Sequence, residues 1–401
     1  MISKSSDRDI HLGEPGFLHK LLRKRRLESV FLFVTARCNS KCRTCFYVGD
    51  KARGRDLTFS QIRTISETAP RFDKLWLSGG EPTLRKDLAE IIEMFYTNNG
   101  VRTINLPSNG LLTSRLVRLV EGLLERCPKL NMHLTLSVDG LAATHDGVRG
   151  VEGGFRKVMT TLQRLEDRFA DHPRLHRNAA SVVTPDAYTE MYDLGVLLLN
   201  KFSLATHFFE TVRGDPRDPA TKGLGKDDLK LLHDRLYPLL DPYAERLFAK
   251  FPAPARFLGK LYFIGVIRFL YSLQESNVDG PSPWPMDCTA GKTTIVIDHN
   301  GSFRSCEMRE PVGRLQEFNF DLTAALNSER MQKEIEAIGG GRRANCWCTH
   351  TCWMLSSMQF SPSTLLLRVP IHYLAHIWKN GRGLSPGQIE AAATELDVRQ
   401  A

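Results

Sequence analysis

Between residues 29 and 210 the chain alternates short β-branched and apolar runs with longer amphipathic ones, and this rhythm restricts its fold more than any other feature. The runs SVFLFVT, KLWLSG, VRTINLP, NMHLTLSV, NAASVV and LATHFFE read as strands. Segments near 59–68, 85–98, 111–126, 154–170 and 188–201 read as helices. Helices of that length between strands are crossovers, which return the chain in the same direction and make the sheet parallel. Six such units predict an α/β fold, a full or partial barrel with its chemistry at the C-terminal ends of the strands.

The remainder divides by composition. Residues 1–28 form a basic segment in which HKLLRKRRLE, residues 19–28, is the densest charge cluster and reads as a solvated helix face. Residues 211–287 begin with the polar, Pro/Gly-rich RGDPRDPATKGLGKDD and continue as helices. One of these, ARFLGKLYFIGVIRFLYSL, carries Arg256, Lys260 and Arg268 on a stripe with a broad apolar face opposite, which reads as buried core. A groove for an apolar substrate or a membrane-surface helix is the alternative. Residues 288–360 are a cysteine-rich part, and residues 361–401 a helical tail with a surface helix after Gly381.

The net charge of +9 suits several partners, among them nucleic acid, anionic membrane, an acidic substrate and an acidic electron-donor protein. No aromatic residues interleave the basic cluster in a stacking pattern, so a nucleic-acid partner is not expected. No apolar run is long enough to span a bilayer, and the polar start MISKSSDRDIHLGEPG lacks the apolar centre of a secretory signal. A cytoplasmic, reducing setting is therefore expected. There the nine cysteines, eight of them in three local groups, read as metal ligands or reactive thiols before disulfides. The ninth, Cys127, reads as inert core.

The first group, in VTARCNSKCRTCFYVGD, sets Cys38, Cys42 and Cys45 straight after the first strand. A structural zinc site is closed by four ligands, whereas three thiolates on a cubane iron–sulfur cluster leave one iron for a ligand that is not protein. CNSKCRTC resembles the CxxxCxxC loop of the radical S-adenosylmethionine enzymes. That resemblance implies a partial (β/α)6 TIM-like barrel whose first strand ends in the loop. It also implies a [4Fe–4S] cluster that binds S-adenosylmethionine and donates one electron to cleave it to a 5′-deoxyadenosyl radical.

Three further motifs strengthen the resemblance. LSGGEP places Gly79, Gly80, Glu81 and Pro82 at the end of the second strand, like the family's GGEP motif. There glycines permit close backbone approach and Glu81 can accept from the ligand's ammonium. LPSNG presents Ser108 and Asn109 at the end of the third strand. LSVDG presents Ser137 and Asp139 at the end of the fourth, similar to the family's ribose and carboxylate contacts, and Arg149 in THDGVRG is a fork for the ligand's carboxylate. Many members carry an aromatic where this chain has Thr44; Phe46 and Tyr47 follow instead, which makes Thr44 and Tyr47 the candidates beside adenine.

The second cysteine field begins with CTAGKTTIVIDHNGSFRSC, a hairpin turning at DHNG with Gly301 able to take positive φ, bounded by Cys288 and Cys306. It resembles the CX9–15GX4C element of the SPASM and twitch extensions, which hold auxiliary iron–sulfur clusters. After a helix at about 321–338 comes CWCTHTC, with Cys346, Cys348 and Cys352. Five thiols where two clusters would need about eight imply one auxiliary [4Fe–4S] cluster, as in the twitch form. Cys288, Cys306 and Cys352 are the favoured ligands with Cys346 or Cys348 as the fourth; His350 could take part, and a four-thiolate zinc knuckle is the alternative.

DGVRGVEGGFR resembles a stretch common to SPASM-containing sequences and does not identify substrate. Acid–base candidates at the mouth or linker are Glu210, His207, Asp287 and Arg213, and the spacing of the first two sends them to opposite faces of one strand. Only 37 residues precede Cys38, too few for a leader-recognition domain, which favours a small-molecule, sugar or lipid substrate over a peptide. Peptide modification is the alternative, and a non-catalytic iron–sulfur or zinc sensor is the alternative of another class. The resemblance also implies a flavodoxin- or ferredoxin-type electron donor.

Overall fold

A computed structural model describes residues 26–47, 52–339, 346–381 and 388. The basic cluster at 19–28 lies mostly outside these residues, as does the expected surface helix after Gly381.

Six parallel strands run in chain order: β1 (Ser29–Thr35), β2 (Lys74–Gly79), β3 (Thr103–Ser108), β4 (Asn131–Ser137), β5 (Leu175–Val183) and β6 (Thr206–Thr211). Between them lie α1 (Phe59–Thr68), α2 (Leu88–Asn98), α3 (Thr113–Arg126), α4 (Ala142–Arg149), α5 (Gly154–Phe169) and α6 (Met191–Lys201). This is the expected α/β partial barrel. Only α4 was absent from the predicted helices.

β1 is buried along its whole length because both its faces are covered. Val30, Leu32 and Val34 belong to the larger core, which the outer helices share, while Phe31 and Phe33 point the other way into a second core. Period-two alternation thus divides one apolar strand between two layers.

After β6 come α7 (Lys226–Leu236), α8 (Leu240–Phe248) and the long α9 (Ala253–Asn277). Then β7 (Thr294–Ile297), β8 (Ser302–Arg304) and β9 (Gly313–Arg314) complete one nine-stranded sheet in the order β6-β5-β4-β3-β2-β1-β7-β8-β9. β7 pairs in parallel with β1, Ser29 opposite Thr294 and Leu32 opposite Ile297. Gly301 turns the β7–β8 hairpin at φ +87°, as its sequence predicts.

The helix expected near 321–338 is two, α10 (Leu322–Leu326) and α11 (Glu329–Ile338), the second started by the Ser328 side chain accepting from Met331 N–H. α12 (Thr351–Met358) lies over the inner face of the barrel, where fully buried Trp353 stacks on Phe31 at 4.6 Å and Phe31 stacks on Trp76 at 4.9 Å. Truncating a buried tryptophan of this kind costs about 3–5 kcal/mol. A π-helical turn (Thr364–Arg368) leads into α13 (Val369–Asn380), which packs on α9.

The expectation that α9 is buried core holds only for its C-terminal half. Arg268 is buried with its guanidinium 3.6 Å from the Tyr237 ring centroid, whereas Phe257 and Leu258 are exposed alongside Arg256. The three cations therefore do not share one solvent stripe. Among the described residues no helix is long and apolar enough to cross a membrane.

Candidate active site at the strand ends

The cysteine loop leaves β1 at its C-terminal end and is fastened by backbone hydrogen bonds from three directions. Gly80 and Glu81 donate to the Thr35 and Arg37 carbonyls at 2.8 and 2.9 Å. Lys41 and Arg43 donate to Arg149 and Val148, the last residues of α4, at 3.0 and 2.8 Å. Arg217 and Asp218, from the segment after β6, donate to Cys45 and Arg43, both at 2.9 Å. The Asp56 carboxylate accepts from Thr35 Oγ1 and Ala36 N–H, and Arg43 pairs with Asp186 and Asp218.

The two glycines of the second-strand turn are required by this loop. A Cβ on Gly79 would stand 2.2 Å from the Thr35 carbonyl oxygen, and one on Gly80 would stand 2.1 Å from that of Arg37. Gly79 also sits at φ +127°. The close approach expected toward a ligand is thus one between two protein segments.

Glu81 is buried and already engaged. Its Oε1 accepts from Thr83 and from Ser108 Oγ at 3.0 Å, and its Oε2 accepts from the Asn109 N–H at 2.8 Å. Burial pushes its pKa up while these donors oppose the rise. Pro82 is buried at the start of the 3₁₀ turn that follows. Asn109 Nδ2 reaches Asn39 Oδ1 at 2.7 Å and Ser40 Oγ at 3.0 Å, inside the cysteine loop. Ser108, Asn109 and Glu81 therefore knit the ends of β2 and β3 to that loop.

Asp139 is fully buried. Its N–H donates to His145 Nδ1 at 3.0 Å, its Oδ1 accepts from Val182 N–H at 2.9 Å, and its Oδ2 lies 2.7 Å from Arg149 Nε. The last contact is close but poorly aligned, leaving both atoms buried without a proper hydrogen bond among the described residues. Arg149 Nη1 in turn contacts Cys42 Sγ at 3.6 Å. Ser137 ends β4 half-buried, and Thr44 is buried in the loop.

Tyr47 is placed differently from expectation. It is turned inward against the Phe33 ring at 4.6 Å, with its hydroxyl 2.5 Å from His299 Nδ1, because its ring completes the second core.

The second cysteine field sits beside α12. Burial pushes the Cys288 thiol up to about 11 and those of Cys348 and Cys352 to about 12, so thiolates here need a compensating positive charge. Cys288, Cys306, Cys346 and Cys348 act on one another electrostatically. The groups acting most on Cys352 are Arg213, Glu210 and Glu307, since it starts α12 facing the end of β6. Cys288, Cys306 and Cys352, the favoured ligands, and Cys346 and Cys348 all border the second core.

Between the two fields runs a buried polar chain. Arg213 Nη1 lies 2.6 Å from His350 Nδ1, and His350 Nε2 lies 2.6 Å from Glu307 Oε2. Burial lowers His350 to about 4, so the neutral ring accepts from Arg213 and donates to Glu307. Arg213 also stands 5.7 Å from the Phe46 ring, next to Cys45. Glu210 accepts from Thr351 Oγ1 at 2.6 Å.

His207 points away from this chain, as the strand spacing predicts, to Ser181 Oγ at 2.7 Å; burial lowers it to about 3. Asp287 is half-buried next to Cys288. A cavity of about 340 Å³ opens between these elements, lined by Thr211, Arg213, Lys222, Asn277, Cys348 and His350 among others.

The structure thus brings Glu210 and Arg213 together and separates His207 from them. Two participants escaped the sequence reading, His145 and Glu307. His145 lies in the overlooked α4; Glu307 directly follows Cys306, and that adjacency was the available clue.

Among the described residues no three ligating side chains converge on a single-ion position. A cubane distributes its thiolates over separate irons, an arrangement that single-ion geometry does not describe.

Residues 32–175 match the family model of the Radical SAM superfamily. The pre-heme d1 synthase of Dinoroseobacter shibae is 31% identical over 138 residues, 34% of this chain and 32% of that protein. The AdoMet-dependent heme synthase of Methanosarcina barkeri is 29% identical over 208 residues, 50% of this chain and 55% of that protein. The chain thus spans about a third to a half of the length of these relatives. A solved structure of native anSMEcpe with bound AdoMet and Cp18Cys peptide is similar in fold at a TM-score of 0.50 and 16% identity, covering 92% of this chain and 100% of that one. The cysteine loop, the Gly79–Pro82 turn and the Asp139–Arg149 pair all lie inside the matched stretch, and residues 32–175 form a radical SAM domain, the mark of an enzyme.

Proposed function

We propose that this enzyme holds a [4Fe–4S] cluster on Cys38, Cys42 and Cys45, binds S-adenosylmethionine beside it, and abstracts a hydrogen atom from a small-molecule, sugar or lipid substrate. The observation that carries this reading is the meeting at one mouth of three thiols, the Gly79–Pro82 turn and Arg149, whose Nη1 touches Cys42 Sγ. The donor set fits the group: three clustered thiols with a buried cation against them, and two buried polar atoms, Asp139 Oδ2 and Arg149 Nε, still lacking aligned partners. When bound, the cluster supplies the single electron that cleaves the sulfonium of S-adenosylmethionine to a 5′-deoxyadenosyl radical.

The chain's own residues do the positioning. Glu81, Ser108 and Asn109 fix the loop, Asp139 orients Arg149 toward Cys42, and Thr44 and Ser137 are further contacts for S-adenosylmethionine. One auxiliary [4Fe–4S] cluster on Cys288, Cys306 and Cys352, with Cys346 or Cys348 as the fourth ligand, would serve electron transfer, with Arg213 and His350 between it and the first loop. The cavity beside Arg213 is the substrate site in this reading, and Arg213 and Glu210 are the side chains placed to handle a proton or an anion there. A flavodoxin- or ferredoxin-type donor and a cytoplasmic setting complete the proposal.

The names of the two synthases support a non-peptide substrate. Peptide modification is the second reading, supported by a fold shared along nearly the whole chain with a peptide-bound structure. The radical SAM domain and the relatives named as synthases support an enzyme over the sensor alternative.

The test is anaerobic reconstitution with iron and sulfide, followed by dithionite and S-adenosylmethionine. About eight irons per chain with 5′-deoxyadenosine formed is the expected result, falling to about four irons and no product for a Cys38→Ala, Cys42→Ala, Cys45→Ala variant. Product formation by that variant sinks the reading. About four irons plus zinc in the parent chain would reassign the second field to a structural metal.

A further inference from the structure

Of the ten large apolar side chains that are well exposed among the described residues, nine fall in two segments, 251–258 and 366–378. These segments meet in space. α13 packs along α9 from Phe257 to Phe269: Phe257 lies edge-on to Tyr373 at 6.0 Å, a Cβ on Gly265 would stand 2.4 Å from the Val369 carbonyl oxygen, and Phe269 lies edge-on to His372 at 5.5 Å.

α13 carries two apolar stripes. Val369, Tyr373 and His376 face inward, where His376 Nε2 meets Asp241 at 2.7 Å. Leu367 of the preceding π-helical turn and Ile371, Leu374 and Trp378 of α13, spaced four, three and four residues apart, are exposed to solvent, with Trp378 85% exposed.

The charge on this face has one sign. No Asp or Glu occurs between Glu245 and Glu275, nor between Glu336 and Glu390. Exposed Lys250, Arg256, Arg368 and Lys379 border the apolar patch. The carboxylates that face the helix pair from α8 are occupied, Asp241 by His376 and Glu245 by Lys260. A contiguous apolar patch of this kind marks an interaction surface. Apolar residues with an exposed tryptophan, rimmed by cations and with the neighbouring carboxylates of α8 paired, complement a bilayer whose surface is anionic.

We infer that the exposed face of α9 and α13 docks this enzyme on anionic lipid membrane, lying on the surface without crossing it. The four rim cations supply the electrostatic attraction, and the Leu367–Trp378 stripe inserts at the headgroup boundary. None of these surface residues belongs to the cysteine loops or lines the cavity beside Arg213, so the inference is tested without reference to 5′-deoxyadenosine.

The experiment is co-sedimentation of the full, cluster-loaded chain with phosphatidylcholine vesicles, with and without phosphatidylglycerol. Binding is expected to the anionic vesicles alone and to weaken with added salt. Arg368→Gln should lower the affinity roughly fivefold, on about 1 kcal/mol per cation at the membrane surface. Leu374→Glu should lower it at least about tenfold while leaving the melting transition unchanged, because the side chain is solvent-exposed. Tryptophan emission should shift to shorter wavelength on binding, a change absent from Trp378→Phe. Equal binding to neutral vesicles, or no vesicle binding together with a dimer that Leu374→Glu breaks, overturns the inference; the second outcome assigns the face to self-association.

Discussion

Gly80 and Gly147 show how two glycines inside the matched stretch differ in what they do. Gly80 has no room for a Cβ, with the Arg37 carbonyl oxygen 2.1 Å from where it would stand; Gly147, within α4, has nothing within 4 Å. Gly80→Ala must push the cysteine loop outward, breaking the Gly80 to Thr35 hydrogen bond, at a cost of about 1–3 kcal/mol and with loss of bound iron. Gly147→Ala should stabilise the chain by up to about 1 kcal/mol with iron content unchanged. Thermal denaturation and iron analysis of the two anaerobic proteins check both, and equal behaviour would remove the steric account. The sequence showed which residues gather at the mouth, because short motifs at strand ends carry that information. It did not show their partners. Glu81 reads as a ligand contact, yet both its oxygens already accept from protein donors, an arrangement that depends on how three loops converge.

α4 acts as a clasp on the cysteine loop. Its first turn offers His145 Nδ1 to the Asp139 N–H, and its last residue holds Asp139, Cys42 and the Lys41 N–H. Burial and the Arg149 charge lower His145 to about 4, below its ordinary 6.5. The unfolded chain therefore binds a proton over this range that the folded one does not, so stability is complete above about pH 6.5 and is lost as pH falls toward 4. From about pH 7 to about pH 5 this histidine alone should remove roughly 2 kcal/mol. Denaturant midpoints at the two pH values should show that loss, and His145→Asn, which keeps an acceptor and cannot titrate, should be less acid-sensitive by a similar amount. An unchanged slope would mean that His145 titrates normally. The strands were legible to within a few residues, since buried parallel strands are continuous apolar runs. α4 was missed because it is eight residues long, contains Gly147 and starts without a side-chain cap. The exposed half of α9 was missed because its sequence is as apolar as its buried half.

At the scale of the molecule, composition suggested a barrel and a separate cysteine-rich part, divided near residue 288. The sheet does not stop there: β7 pairs directly with β1, and α12 lays Trp353 on Phe31 over the inner face of the barrel. Strands of four, three and two residues carry little sequence signal, so this continuity was not readable. The cysteine-rich part therefore supplies about half of the buried members of the second core, among them Val296, Trp353, Met354 and Met358. Removing it would uncover the face of Phe31 on which Trp353 stacks and turn the central strand β1 into an open edge, a template for aggregation. A chain ending at Asp287 should accordingly melt without a cooperative transition, or aggregate, even though it keeps Cys38, Cys42 and Cys45. The full chain should show one transition rather than two, because β1 belongs to both parts. A soluble chain ending at Asp287 that melted cooperatively and retained about four irons would show instead that the barrel folds alone. The link between the two cysteine fields would then rest on the polar contacts of Arg213 and His350 and not on a shared core.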